Sequence, residues 1–271
     1  PAPQFNDLRI SKRTSKALRG VLRAPSGMII TTAGEGGREV LYAAAKLYAE
    51  AGKNVVACDH EQPFDDLNFP QVEVDAFNTQ AYRNTINTLL SQKPEVLVVG
   101  SSDDWSALSA ASRAALSGVT VLTSISASDS VGVVSRLLGS GLEPFVVADL
   151  LVGACAVKEI RTLCKDCKKP IGENFEPVGC ESCDFTGWSG SHTVSEMLAW
   201  NNEYSEMLMS GQSPEQFRKA LEESAAGTLR SEAMDALDAG KTNFPELRRV
   251  LGEVEVERKM KPVPTDRRLA A

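Results

Sequence analysis

Short, nearly unbroken apolar runs alternate along this chain with longer stretches whose apolar residues recur every three or four positions. Met28-Ile29-Ile30, Val55-Val56-Ala57-Cys58, Glu95-Val96-Leu97-Val98-Val99-Gly100 and Val119-Thr120-Val121-Leu122-Thr123-Ser124 are the runs. Rich in β-branched residues and bounded by turn residues, they predict strands buried on both faces. Val40 to Glu50, Thr79 to Gln92, Trp105 to Leu116 and Val131 to Leu138 carry the helical spacing between them. Lys93-Pro94, Gly118 and the pair Gly139 and Gly141 close the last three of these helices. Strand-and-helix pairs in succession predict an α/β fold with a mainly parallel sheet covered on both faces.

The flanking segments are less regular. Residues 1–26 form a basic approach segment with a short helix ending near Gly20 to Pro25, and Asp65 to Asn78 read as a loop with an extended piece at Val72-Glu73-Val74. Pro144 opens a very apolar run, Phe145 to Val157, that predicts a core helix too short to cross a membrane. After a core-like stretch at Val194 to Leu198, helices follow. Ser213-Pro214-Glu215-Gln216 carries a capping box that opens one to Glu223, and Thr228 to Ala239 and Phe244 to Leu251 add two more. Glu253 to Ala271 is charged and nearly devoid of core residues, which predicts a disordered tail.

Composition narrows the class. The 271 residues, 42% hydrophobic, suffice for one large domain or two small ones. A formal net charge of −7 disfavours nonspecific nucleic-acid binding. No apolar run reaches the roughly 20 residues a bilayer span needs, and no charged-then-apolar leader opens the chain. The expectation is a cytoplasmic protein that reaches a membrane only through partners. Pro1-Ala2-Pro3, with no initiating Met, adds the expectation of a further domain upstream.

Candidate chemistry lies first between the opening strand and its helix, at T-T-A-G-E-G-G-R, residues 31–38. Strand, glycine turn and helix aim backbone N–H groups at whatever sits above the helix, the usual way of holding phosphate. A working phosphate loop reads G-x-x-x-x-G-K-[ST]. Here Gly34, Gly36, Gly37 and Arg38 keep the glycines without the lysine and hydroxyl. Asp59, His60, Glu61 and Gln62 end the second strand, where open α/β sheets bind ligands, although a solvated loop is the plainer reading. The Val96 strand runs into Ser101 and Ser102, and the carboxylates beyond, Asp103 and Asp104, read as helix caps.

Cys164-Lys165-Asp166-Cys167 and Cys180-Glu181-Ser182-Cys183 are two C-x-x-C knuckles separated by twelve residues. Tetrahedral zinc needs four converging thiolates, and two knuckles supply them. A cytosolic chain argues against disulfides, and a redox C-x-x-C needs no twin. With four protein ligands there is no open position for water, so the metal would be structural. Cys58 and Cys155 lie in apolar elements and read as buried small hydrophobes. His60 and His192 alone cannot build a histidine metal site.

With these parts in place the chain resembles the C-terminal nucleotide-binding domain of the type II secretion and type IV pilus assembly ATPases, nearly collinearly from Leu18 to Val250. The likeness rests on Pro25-Ser26-Gly27, Leu41-Tyr42-Ala43-Ala44, Pro94 to Gly100, Ala114 to Gly118, Gly141-Leu142-Glu143-Pro144-Phe145, the four cysteines, and Gly187-Trp188-Ser189-Gly190. It implies a RecA-like P-loop NTPase fold that forms hexamers and couples ATP hydrolysis to pilin or pseudopilin assembly. The implied divisions are a core at 1–160, a zinc element at 161–192, a helical subdomain at 193–252 and a tail at 253–271.

The departures from that family are concentrated at chemistry-bearing positions. Its phosphate lysine falls on Gly37, its magnesium hydroxyl on Arg38, one acidic residue on His60 beside a kept Asp59, its Walker B glutamate on Ser101, and its histidine on Ser126, with the nearby aspartate kept as Asp129. The resulting expectation is a pseudo-ATPase without catalytic residues. It would hold structural Zn2+ but not ATP and Mg2+, and would serve a secretion or pilus-like machine, as a homo-oligomer or beside an active paralogous ATPase. Two alternatives are weaker. A divergent ATPase would use Arg38 with Asp103 or Asp104, but Arg38 leaves the helix about 100° round from the family lysine, and Glu35 places a carboxylate in the loop. A zinc-knuckle nucleic-acid module conflicts with the acidic balance.

Overall fold

The computed structural model describes residues 2–61, 64–75, 78, 80–172, 174–224 and 227–252, with the backbone but not the side chain of Glu35. The expected tail, Gln62, Thr79 and the Glu35 carboxylate lie outside that set. The strands among the described residues are β1 (Gly27–Thr32), β2 (Val55–Asp59), β3 (Gln71–Glu73), β4 (Val96–Val99), β5 (Thr120–Ile125), β6 (Leu151–Leu163), β7 (Lys169–Ile171), β8 (Asn174–Glu176) and β9 (Trp188–Ala199). Seven form one sheet in the order β3-β2-β4-β5-β1-β6-β9, and β7 pairs with β8 in a separate hairpin. All neighbours in the large sheet are parallel except β6 and β9. β1, β2, β4 and β5 are buried at every residue, which is why they read as continuous apolar runs rather than alternating ones.

The helices are α1 (Lys12–Val21), α2 (Glu35–Glu50), α3 (Ala81–Leu90), α4 (Trp105–Leu116), α5 (Ser130–Gly139), α6 (Pro144–Leu150), α7 (Asn202–Met209), α8 (Pro214–Glu223), α9 (Leu229–Asp238) and α10 (Phe244–Leu251). Side-chain caps set many of their starts: Ser11, Asp104, Asp129, Asn201, Ser213, Thr228 and Asn243 each accept a first-turn N–H. One core, around Met28, Ile30, Leu97 and Leu137, lies on the side of α3–α8. The other, around Ile29, Leu41, Tyr42 and Leu18, lies under α1 and α2.

The run from Phe145 to Val157 is not one helix. It splits at Leu150/Leu151 into α6 and the 13-residue strand β6. β6 is claimed on both flanks, parallel to β1 and antiparallel to β9, so the ladder satisfies its backbone and overrides the helical preference of its Ala and Leu residues. Gly153 sits where β9 comes close: a Cβ there would lie 2.5 Å from the Met197 side chain and 3.0 Å from the Leu198 carbonyl oxygen. The core-like stretch Val194 to Leu198 is the end of β9. β6 and β9 run through positions 160 and 192, the expected divisions.

The C-terminal helices are fixed to this edge. Leu229, Ala233, Leu237 and Leu247 bury against Ala156, Ile160 and Val194. Buried Glu196 on β9 accepts from Ser130 N and Leu229 N, the first residues of α5 and α9, at 2.7 and 2.9 Å. The Arg161 guanidinium on β6 donates twice to buried Glu246 on α10, at 2.9 and 2.6 Å, its backbone N–H donates at 2.9 Å, and Arg249 adds 2.9 and 2.7 Å contacts.

Candidate functional site

The sheet brings the carboxyl ends of β1, β2, β4 and β5 around a cleft of about 650 Å³. At its centre the segment 31–38 is not an eight-residue loop. Thr31 and Thr32 belong to β1, α2 begins at Glu35, and only Ala33 and Gly34 form the turn. Gly34 has φ +127°, which L side chains rarely adopt. Arg38 N donates to Gly34 O at 2.9 Å, already the first turn of α2. The missing side chains at 36 and 37 permit this closure. A Cβ at Gly36 would lie 2.7 Å from Val157 Cγ1, and one at Gly37 would lie 1.9 Å from the Thr32 carbonyl oxygen.

Arg38 points across the cleft into the end of β2. It donates to Glu61 at 3.0 Å, lies 3.4 Å from His60 Nε2, and is 3.6 Å from Asp59 Oδ1. Asp59 is buried at 3% exposure, so the solvated-loop reading fails at this residue. Its carboxylate accepts from Tyr42 Oη at 2.9 Å and His60 N at 2.8 Å. Gly100 makes room for it: a Cβ there would lie about 2 Å from the carboxylate atoms. Burial would lower the Arg38 pKa, but Asp59 and Glu61 hold it above its ordinary value. Burial and then Asp59 push the Tyr42 hydroxyl far up. The Cys58 thiol, buried beside Asp59, rises to about 12. The sequence offers Tyr42 only as part of the family likeness, not as a site residue, although it stands four residues after Arg38 on the same helix face.

On the other wall Ser101 lines the cleft, and Ser102 Oγ lies 2.6 Å from Thr123 Oγ1. Asp103 is not a helix cap. Its two oxygens accept from Ser126 N and Ser126 Oγ, both at 2.7 Å. Asp104 is the cap, accepting from Ser106 N and Ala107 N at 2.8 and 3.3 Å. Asp129 caps α5 through Gly132 N and pairs with Arg218 on α8 at 3.0 Å. The side chains facing the cleft therefore include Glu39, Glu61 and Asp103 against Arg38, an acidic lining.

The four cysteines converge. Their sulfur atoms all lie within 4.8 Å of one another, with Cys164–Cys180, Cys167–Cys183 and Cys180–Cys183 at 3.9, 3.8 and 3.7 Å. Four thiolates at about 2.3 Å from a tetrahedral metal lie about 3.8 Å apart, so this donor set fits a metal ion. Gly179 N donates to Cys167 Sγ at 3.3 Å, and Cys180 N and Gly187 N donate to Cys183 Sγ at 3.3 and 3.2 Å. Such N–H groups orient and stabilise sulfur ligands. Cys58 and Cys155 are fully buried and distant in role, as expected, and burial raises the Cys155 thiol to about 12 as well.

Comparison with known proteins places this arrangement. A family model described as "Type II/IV secretion system protein" matches residues 2–249. The chain belongs to the type II/IV secretion system protein family. In that family it is 26% identical over 235 residues to the type II secretion system protein HxcR of Pseudomonas aeruginosa, covering 86% of this chain and 50% of the relative. It is 26% identical over 268 residues to the type II secretion system ATPase E of Vibrio cholerae, covering 92% and 53%. The chain thus spans about half the length of these secretion-family relatives. Its fold matches the Legionella pneumophila ATPase DotB, with TM-score 0.69 and 17% identity, covering 92% of this chain and 65% of DotB. It also matches the pilus retraction motor PilT solved with ADP, with TM-score 0.70 and 14% identity, covering 92% and 67%. The family match takes in both the cleft and the four cysteines.

Proposed function

We propose that this chain is a non-hydrolysing member of its family, a structural or regulatory component of a type II secretion or type IV pilus-like machine. The observation that carries this reading is the closed turn at the head of α2. Gly37, where the family lysine would stand, is backed against the Thr32 carbonyl, and the cation that follows it, Arg38, is engaged by Asp59, Glu61 and His60. A triphosphate entering here would meet Glu61 and Asp103, and each unit charge at ~4 Å costs about 4 kcal/mol at an effective dielectric near 20. Asp103 and Asp104 are each held by two donors, which argues against either as a replacement base. The family lysine, hydroxyl and glutamate positions carry Gly37, Arg38 and Ser101, and losing such groups costs orders of magnitude in rate.

The four cysteines hold structural zinc, a staple that leaves no open coordination position. The partners are other components of the machine, including an active paralogous ATPase, on the cytoplasmic side. Titration of a fluorescent ATP analogue with and without magnesium, beside a phosphate-release assay, tests the reading. The expected result is no saturable binding and no turnover. Micromolar, magnesium-dependent binding that Arg38→Ala abolishes would overturn it.

A further inference from the structure

One feature of the sequence that this function does not use is the basic approach segment. Arg9, Lys12, Arg13, Lys16, Arg19 and Arg23 are all exposed, and no acidic residue occurs between Leu8 and Ala24. Four lie on α1 and two flank it. At about 100° per residue the four on α1, Lys12, Arg13, Lys16 and Arg19, fall on one side of the helix axis, within an arc of roughly 120°. The opposite side carries Thr14, Leu18 and Val21, buried against the body of the protein. Arg19 donates to Asn6 and lies over the Phe5 ring. Among the described residues the side chains of Arg9, Lys12, Arg13, Lys16 and Arg23 have neither an ion pair nor a hydrogen bond. Like charges three and four residues apart repel, and no carboxylate among the described residues pairs with these five side chains.

We propose that this face of α1 docks an acidic helical segment of a partner protein, whether or not the cleft binds nucleotide. The charge distribution selects that occupant. The whole chain carries 29 Lys and Arg against 36 Asp and Glu, so without these six the rest holds 23 against 36, a net charge of −13. On α1 the four basic residues of this stripe span about 10 Å at 1.5 Å per residue, and Arg9 and Arg23 lie beyond the two ends of the helix. A nucleic acid or an anionic bilayer extends beyond the stripe and meets the acidic remainder within a few Debye lengths of about 8 Å. A helix of three or four turns with carboxylates at i, i+4, i+7 ends where the stripe ends. Arg13 also borders a groove of about 540 Å³ lined by Glu222, Thr228, Arg230, Ser231 and Met234, which adjoins the stripe.

Fluorescence anisotropy tests this with two labelled helical peptides of about 18 residues and equal composition, one with its glutamates on one face and one with them spread round the helix. Single-stranded DNA of similar charge and phosphatidylglycerol vesicles serve as competing probes. The one-face peptide is expected to bind at least ~10-fold more tightly than the spread one, with the salt dependence of a charge-matched contact. Lys12→Glu with Lys16→Glu is expected to remove at least ~10-fold of that affinity, and Lys12→Gln with Lys16→Gln a smaller part, with unchanged melting temperatures confirming the fold. Equal binding of the two peptides, affinity unmoved by charge reversal, or tighter binding of DNA or vesicles would each refute the proposal.

Discussion

Gly37→Lys restores the residue that the family resemblance places at this position, and it separates two accounts of the turn by sign. Position 37 lies in the first turn of α2. Were there free space, replacing glycine by lysine inside a helix would stabilise the protein by about 0.7 kcal/mol. The structure requires the opposite. A Cβ at Gly37 would stand 1.9 Å from the Thr32 carbonyl oxygen, more than 1 Å inside any tolerated contact. That oxygen is backbone of a fully buried strand, so it cannot rotate away as a flexible side chain could. Overpacking of this kind costs about 1–3 kcal/mol. After the helix gain is subtracted, the net loss is roughly 0.3–2.3 kcal/mol, a fall in Tm of about 1–9 °C for a chain of this size. Thermal unfolding followed by circular dichroism reads the sign, and Gly37→Ala serves as a control that adds the Cβ without the charge. If Gly37→Lys melts at or above the wild-type temperature and binds an ATP analogue with magnesium, the turn opens readily and the argument from its closure fails.

Three further outcomes follow from the described contacts. Burial would raise the Glu246 pKa, but Arg249 and Arg161 hold it at about 2, below its ordinary 4.5. Its contribution to stability is therefore fully present above pH 4.5 and is lost as pH falls toward 2. That depression corresponds to at most ~3 kcal/mol, cut to roughly 1–2 by solvent around arginines that are 48% and 56% exposed. Urea denaturation should accordingly show the deficit of Glu246→Gln shrinking between pH 6 and pH 3, and a deficit that grows in acid would contradict the assignment. Glu196→Ala strands the amides of Ser130 and Leu229, with an expected loss of about 1–3 kcal/mol and faster hydrogen exchange at both helix starts. Elemental analysis should find one zinc per chain, lost with Cys167→Ser; a zinc-free wild-type protein would remove the metal from the account.

The central strands were legible because burial on both faces writes itself as an uninterrupted apolar run, and the cysteine cluster because metal ligation demands a fixed spacing. β6 was not, because the residues that make it a strand are remote: β9 pairs with it from positions 188–199, and no window around Leu151 contains that partner. Gly153 inside the run was the available signal, since a glycine within an apolar element marks a close approach of backbone. The cleft was half legible. Gly34, Gly36, Gly37 and Arg38 stood out as a glycine motif, but that the glycines close the turn rather than widen it depends on Thr32 and Val157, contacts that only the packed sheet supplies.

The same distinction bears on why the cleft keeps its shape. Asp59 is buried only because Gly100 leaves space for its carboxylate and because Tyr42, His60 N and Arg38 surround it. Removing one partner of a buried, hydrogen-bonded charge destabilises a protein far more than the intact pair stabilises it. Asp59 and Arg38 therefore constrain each other through folding alone, with no nucleotide required, and Asp103 with Ser126 adds an exposed tie between the ends of β4 and β5. A site held by internal pairs of this kind preserves the positions of α2, β2, β4 and β5. Those elements form the sheet's carboxyl edge and the walls of the cleft.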